Sequence, residues 1–212
     1  WEREYAEVVA KYKGTDKWLK APNGKPTNLT ERQWVQVRTP SFKRWFGDWE
    51  KDPANASKVI DSNGEPWVFY RGEDNETQFA VKKENTFYTY QEYNAREGYG
   101  EGGSVGAYFL NLRNPLSLIE EGSYNVWDKD KLIRFLTALT EYRKKKGRYC
   151  PDLAEMVRRD EYLFQRKTDD LIRTKSFIDQ TQEDFEQDWK DVVEVAKSIG
   201  CDGLIGAQFL SV

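Results

Sequence analysis

The chain has 212 residues, a length that fits one domain with an insertion or one domain with a flanking segment. Its formal net charge is −3 and its pI is about 5.4, so it lacks the basic excess that is typical of nucleic-acid-binding proteins. It contains no histidine and two cysteines, which excludes a nucleophile activated by a histidine base and leaves too few ligands for a usual zinc site.

The remaining composition predicts a protein of the cytoplasm. Cys150 and Cys201 are far apart in sequence and form no CxxC pattern, so we expect two reduced thiols. No apolar run is long enough to span a bilayer, and the segment after Trp1 lacks the apolar core of a signal peptide. The helical spacing of residues has already begun at Trp1, so we expect the chain to be a fragment of a longer polypeptide. We interpret the basic run that begins at Arg143 as the solvated end of a helix, where cations complement the helix dipole.

Helices are predicted for the first 58 residues. The first helix carries apolar residues at helical spacing, namely Tyr5, Val8, Val9 and Tyr12. A loop with two prolines and a glycine follows at 21–28, and Thr30 then caps a short helix at 31–37 with Gln33 in the capping-box position. The spacing of a third segment predicts one apolar helix face, which we interpret as packing: Phe42, Trp45, Phe46 and Trp49.

Short strands are predicted from residue 59 onward. The turn signal Asn63-Gly64 predicts a hairpin over 59–70, with a buried strand in its second half. A strand at 86–89, a helix at 90–99 and a strand at 107–112 follow, and Asn114-Pro115 stops the last of these strands. Five glycines make 98–106 a predicted flexible stretch, which is not a P-loop because it lacks the lysine–serine or lysine–threonine ending.

In the segment 124–199 the apolar residues follow a spacing that is typical of helices. One stripe at helical spacing contains Leu132, Phe135, Leu136, Leu139 and Tyr142. A second stripe contains Phe185, Trp189, Val192, Val193 and Ala196. A further helix is predicted between them, after Pro151. We therefore predict a helical insertion of about three helices, followed by strand segments at 202–206 and 208–212.

Several groups of residues follow the order and spacing of one known family. They are the segments 34–49, 55–66, 68–72, 108–116 and 202–205, together with Phe87-Tyr88-Thr89 followed by Ala95 and Tyr99. In this combination they resemble the ADP-ribosyltransferase-like domain of the polyvalent proteins of bacteriophages and mobile elements. The resemblance covers about residues 23–118 and resumes near residue 200.

The resemblance implies an α+β fold in which a split β-sheet grips NAD in a cleft. We accordingly expect an N-terminal helical segment, 1–58, packed on the core of an ADP-ribosyltransferase-like domain, 59–212, with the helical insertion at about 124–199. The implied function is mono-ADP-ribosyl transfer from NAD, as the substrate, to an unknown macromolecule in a bacterial host, by a cytoplasmic toxin or effector. The expected partners are NAD and that target, whereas a metal, a membrane and a nucleic acid are not expected.

The family's motifs imply three catalytic positions. The first motif is a histidine followed by a glycine, and here Arg71 stands before Gly72. The tyrosine of the second motif matches Tyr88, and Gln208 takes the place of the acidic or amide residue of the third. Further contacts with NAD are expected from Tyr70, Gly72, Phe87, Thr89 and Tyr99.

Each implied role has a physical reason. Cleavage of NAD at the nicotinamide bond develops positive charge on the ribose, as in other reactions with oxocarbenium-like transition states. Arg71 could hold a phosphate or ribose oxygen, Gly72 lets the backbone approach the nicotinamide amide, and Tyr88 offers a flat face for the nicotinamide ring. Gln208 could bond the ribose 2′-hydroxyl, but it has no charge with which to stabilise the cation, so we predict weak turnover.

The residues alone leave other interpretations open. Arginine at the first position is typical of a second branch of the superfamily, whose Ser-Thr-Ser and paired carboxylate motifs are not visible in this sequence. Arg71 can also be a surface residue at a strand end, Gly72 a turn residue and Tyr88 a core residue. The alternative functions are a degenerate transferase fold that acts as a binding module, and a barnase-like nuclease toxin, which the lack of histidine disfavours.

Overall fold

The structure is a computed structural model of a mixed α+β protein. It describes residues 1–73, 87–97, 103–121, 123, 126–159, 172, 179–206 and 209–211. The chain divides into two compact units, of which the first is Trp1–Asp74 with Gln91–Asn114 and the second is Asn75–Tyr90 with Pro115–Val212. Among the described residues, no helix has the length and apolar character that are needed to cross a membrane.

The elements are numbered in chain order. The helices are α1 (Glu2–Tyr12), α2 (Glu31–Gln36), α3 (Pro40–Phe46), α4 (Glu92–Glu97), α5 (Lys129–Lys145), α6 (Leu153–Arg159) and α7 (Gln182–Ser198). The strands are β1 (Val68–Glu73), β2 (Phe87–Thr89), β3 (Ser104–Phe109), β4 (Pro115–Ser117), β5 (Gly203–Gly206) and β6 (Phe209–Ser211).

Local sequence rules explain where α2 begins and where α3 ends in the first unit. The predicted capping box forms at α2, where the Thr30 side chain accepts a hydrogen bond from the backbone of Gln33 and the Gln33 side chain accepts one from the backbone of Thr30. The prediction that Trp49 continues the face of α3 is wrong, because Gly47 ends that helix with a φ of 96°. Trp49 still reaches the core from the following turn, and its indole nitrogen donates a hydrogen bond to the Val37 carbonyl at 3.0 Å.

Two Asn-Gly turns of the same shape lie side by side in the first unit. The predicted turn at Asn63-Gly64 forms, with a β-bridge between Ile60 and Pro66. A second bridge, between Lys20 and Pro26, closes the loop that contains Asn23 and a glycine of positive φ. The side-chain amide of Asn23 donates to the side-chain oxygen of Asn63 at 3.1 Å, so each turn supports the other.

A buried arginine organises the aromatic core of the first unit. The guanidinium of Arg38 lies 3.8 Å from the ring centroid of Trp34 and 5.1 Å from that of Trp49. It also pairs at 3.0 Å with Glu65, which is fully buried and accepts a further hydrogen bond from the Thr27 hydroxyl. Because burying a charge is costly unless it is paired, this network holds the chain segments of the unit in one arrangement.

Strands β1 and β3 form an antiparallel pair whose two faces differ. Val68 and Phe109 are directly paired and pack in the aromatic core together with Tyr70, so this face is turned inward. Side chains alternate along a strand, so Phe69 and Arg71 of β1 point to the opposite face. Helix α4 contacts both strands and contributes Ala95, which is fully buried.

The glycine-rich stretch is partly strand. The prediction of a flexible segment at 98–106 fails for Ser104 to Gly106, which belong to β3, and the strand ends at Phe109 rather than at residue 112. Pairing with β1 holds these residues in the strand, although Ser104 and Gly106 have low intrinsic strand propensity. Residues 98–102 lie outside the described residues.

The second unit contains a sheet of the order β2-β6-β5-β4. Strands β2 and β6 are antiparallel, as are β6 and β5, whereas β5 and β4 are parallel. Pro115, which was predicted to stop a strand, begins β4 and pairs with Gly203, a position where a missing N–H is tolerated. Parallel neighbours require a long crossover connection, and helices α5, α6 and α7 lie in the chain between these two strands.

Both predicted apolar stripes of the second unit are helical, within α5 and α7. The interpretation of Arg143 as part of a solvated helix end is wrong, because its side chain is fully buried. It pairs with Asp188 at 3.0 Å and with Asp191 at 2.9 Å, both on α7, and donates to the Ile172 carbonyl at 2.8 Å. The lysines that follow Arg143 are exposed, as predicted.

Candidate functional site

The first-motif residues lie in the second half of β1, where the two faces of the strand separate them. Tyr70 packs against the aromatic core of the first unit, and Gly72 is buried. Arg71 is half-buried and lies on the opposite face, beside the fully buried Phe69. Of Tyr70, Arg71 and Gly72, Arg71 is therefore the one on the face turned away from that core.

The partner strand places a glycine directly opposite Arg71. In the register of β1 and β3, Arg71 pairs with Gly106 and Phe69 pairs with Tyr108. The ring of Tyr108 leans along β3 over Gly106, since a methyl group added at Gly106 would lie 2.5 Å from both the Cε2 and the hydroxyl oxygen of Tyr108. A larger residue at 106 would therefore displace the ring. The absence of a side chain there brings an aromatic ring next to the position of Arg71.

The second-motif residues form β2 in the second unit. Tyr88 and Thr89 are half-buried, and the backbone of Tyr88 pairs with Leu210 of β6. The next residue, Tyr90, is buried, and its hydroxyl donates to the Gly206 carbonyl at the end of β5 at 2.9 Å. Burial raises the pKa of Tyr90 well above its ordinary range, so this hydroxyl stays protonated and keeps donating.

Two predicted site residues, Tyr99 and Gln208, lie outside the described residues. Phe87 is described only as a position on β2. The described strands nearest to Gln208 in sequence are β5, which ends at Gly206, and β6, which begins at Phe209. No group of three or more potential metal ligands occurs among the residues that the structure describes.

Sequence reasoning missed Gly106, Tyr108 and Tyr90 as residues of interest. Gly106 was assigned to a flexible stretch, and nothing in the sequence indicates which residue of another strand pairs with Arg71. Strand register is a property of the folded pair, because it depends on how the two apolar faces are buried together. Tyr90 carried a weak local signal, since it directly follows the Phe-Tyr-Thr strand.

The arrangement on the first unit can recognise a ligand that is both flat and anionic. A guanidinium binds phosphate and carboxylate oxygens through a planar fork of donors. An aromatic ring beside it offers a stacking surface for a base or another flat group. Comparison with protein-family models, with curated protein sequences and with solved structures gives no match.

Proposed function

We propose that the chain is an ADP-ribosyltransferase-like domain that binds NAD and turns it over weakly. The observation that carries the proposal is the matched order of the motifs along the chain, from the segment at 34–49 through Arg71-Gly72 and Tyr88 to the strands at its end. The local structure is compatible with it, because both the first and the second motif lie on β-strands. The finer fold, a split ADP-ribosyltransferase-like sheet that grips NAD, belongs to the same proposal.

In this proposal Arg71 binds an anionic or ribose oxygen of NAD. It is half-buried on the β1 face turned away from the aromatic core, so a phosphate or ribose oxygen of NAD can reach it. Partial burial strengthens such a contact, since a charge-assisted hydrogen bond gains strength where the effective dielectric is low. Loss of one such bond is worth about 1.5–3 kcal/mol, or roughly a 10- to 150-fold change in affinity.

In this proposal the ring of Tyr88 stacks on the nicotinamide ring. Its backbone is fixed by pairing with Leu210 of β6, and Tyr90, the residue directly after β2, donates a hydrogen bond to Gly206 at the end of β5. A ring on a fixed strand can hold the nicotinamide in one orientation as the glycosidic bond breaks. The developing positive charge must then be stabilised by a group of the third motif.

Weak turnover follows from the chemistry of Gln208, the residue we assign to that motif. A glutamine can bond the ribose 2′-hydroxyl, but it carries no negative charge. Removing one electrostatic contact with a transition state commonly costs about 100- to 1,000-fold in rate. The transfer target is an unidentified macromolecule of a bacterial host, and the proposal makes NAD the substrate without any metal.

The first experiment measures NAD binding by isothermal titration calorimetry. Arg71→Ala and Tyr88→Ala are each expected to weaken NAD binding about tenfold or more. The matched controls are Arg96→Ala and Tyr93→Ala, because both residues lie on the exposed side of α4 and are expected to leave binding unchanged. A wild-type protein that releases no heat and shows no thermal shift at millimolar NAD would overturn the proposal.

The second experiment measures nicotinamide release and tests the role of Gln208. Gln208→Glu restores a carboxylate at the third motif and is expected to raise the rate by about 100-fold. Robust turnover by the unmodified protein would contradict the prediction of weak activity, and an unchanged rate in Gln208→Glu would remove Gln208 from the site.

A binding module without chemistry is the second candidate function. It is favoured by the absence of histidine from the chain and by Arg71 in the place of the first-motif histidine. Under this alternative NAD binds with the same dependence on Arg71, but nicotinamide is released by neither the wild type nor Gln208→Glu. The two experiments together therefore separate the candidates.

A further inference from the structure

The face of β1 and β3 that carries Arg71 also carries an aromatic residue, Tyr108, to which the sequence analysis assigns no role at the site. Tyr108 pairs across the strands with Phe69, which is fully buried, yet its ring leans away from that pair and over Gly106. Gly106 is in turn the residue directly opposite Arg71. Directly paired residues of an antiparallel pair lie about 4.5–5.5 Å apart, so the ring lies beside the position of Arg71.

The four residues of these two pairs differ in burial in a way that leaves part of this face accessible. Phe69 is fully buried, whereas Arg71, Gly106 and Tyr108 are each half-buried. The accessible part therefore lies at the Arg71–Gly106 pair, where a cation and an aromatic ring are adjacent. A flat group with an attached anion fits such a pair, because the ring can stack on it while the guanidinium binds the anion.

We propose that Tyr108 and Arg71 form a subsite for an adenine nucleotide, in which Tyr108 stacks on the adenine and Arg71 binds an attached phosphate. This inference rests on the proposed function and deepens it. Adenine is the larger of the two flat groups of NAD, so the adenosine half is the part that we assign to Tyr108. Gly106 is a positioning residue, because its lack of a side chain lets the ring lie over the strand.

A substitution at Gly106 can move the ring of Tyr108 without removing it. Gly106 has no positive φ, so alanine is compatible with its backbone. The atoms that an added methyl group would meet are the outer atoms of the Tyr108 ring, Cε2, Cζ and the hydroxyl oxygen. The ring can swing aside by rotation of its side chain, so Gly106→Ala is expected to displace the stacking surface at little cost in stability.

The experiment titrates AMP, ADP-ribose, nicotinamide mononucleotide and NAD against the full chain by calorimetry. Tyr108→Leu and Gly106→Ala are expected to weaken AMP, ADP-ribose and NAD about tenfold or more, while nicotinamide mononucleotide is unaffected. Tyr108→Phe keeps the ring and is expected to keep the affinity within about threefold. Tyr93→Leu, an exposed tyrosine of the same unit, is the control, and thermal unfolding shows that each variant is folded.

Each outcome decides between the inference and the proposed function. If NAD and ADP-ribose bind and neither Tyr108→Leu nor Gly106→Ala changes their affinity, the inference is overturned and the proposed function stands. If AMP and ADP-ribose bind with the expected dependence on Tyr108 but NAD does not bind, the proposed function is overturned and the subsite stands. If none of the four ligands binds, both are overturned.

Discussion

Arg143 offers a sharp test of how the helices of the second unit are held together. Its side chain is fully buried on α5, and it pairs with Asp188 at 3.0 Å and with Asp191 at 2.9 Å on α7. Asp188 also accepts a hydrogen bond from Gln180, and Asp191 from Arg148. Among the residues that the structure describes, this cluster thus contains two arginines and two aspartates.

We expect Arg143→Met to lower the free energy of unfolding by about 3–5 kcal/mol. Methionine fills much of the space, so the loss does not come from a cavity. It comes from the two carboxylates of α7, of which Asp188 loses the ion pair with Arg143 while Arg148 still pairs with Asp191. A loss of this size is a large part of the total stability of a domain, which is about 5–15 kcal/mol.

The assay is urea unfolding followed by far-ultraviolet circular dichroism, since α5 and α7 are the longest helices of the described chain. Lys144→Met is the matched control, because the neighbouring lysine is exposed, and it is expected to change stability by less than about 0.5 kcal/mol. The double variant Arg143→Met with Asp188→Asn is expected to lose less than the sum of the two single variants, because it no longer buries the charge that Arg143 balanced. A loss below about 1 kcal/mol in Arg143→Met would refute the reasoning.

Three further changes test other parts of the structure. Gly47→Ala is expected to lower stability by about 3 kcal/mol or more in thermal unfolding, because φ is 96° and the added methyl would lie 2.4 Å from the Ala56 Cα atom; an unchanged melting temperature would contradict this backbone geometry. Tyr90→Phe is expected to lose about 1–2 kcal/mol, since the Gly206 carbonyl loses its hydrogen bond from the tyrosine hydroxyl; a neutral result would show that this bond is not formed. The pKa of Asp128 is lowered from 3.8, mainly by a hydrogen bond from the α5 backbone, so its contribution to stability is present above pH 3.8 and is lost as the pH falls through the lower folded value. Asp128→Asn keeps a capping side chain and is expected to flatten the loss of stability below about pH 4, whereas an unchanged acid titration would exclude Asp128 as a contributor.

The parts of the fold that sequence alone predicted are those set by neighbours along the chain. The Thr30 capping box, the Asn63-Gly64 turn and the stripes of α5 and α7 each depend on residues within one or two turns of one another. The end of α3 was predicted wrongly because the helical spacing of aromatic residues continues past Gly47. A glycine is a typical helix end, and here it decides where the helix stops.

The parts that could not be predicted depend on residues far apart in sequence. Arg143 lies in a run of cations that is typical of a solvated helix end, and its burial depends on two aspartates of α7. Gly106 has the composition of a loop, and its place opposite Arg71 depends on the register of two strands. The candidate site is less predictable than the helices for the same reason, since a site is assembled from several elements while a helix is built from one.

The residues that carry the resemblance divide into two groups with different physical roles. The segment at 34–49 and the turn before β1 supply Arg38, Gly47, Trp49 and Glu65, whose contacts explain their identity by packing and charge pairing alone. The departures from the family's pattern fall instead on the residues expected to act on NAD, above all Arg71. Residues that match the family's pattern and serve packing favour a similar fold. Residues that differ from the pattern at the expected NAD site predict a different rate of turnover. If the proposed function is correct, NAD binding and nicotinamide release are therefore expected to respond to different residues: binding to Arg71, and the rate of release to Gln208.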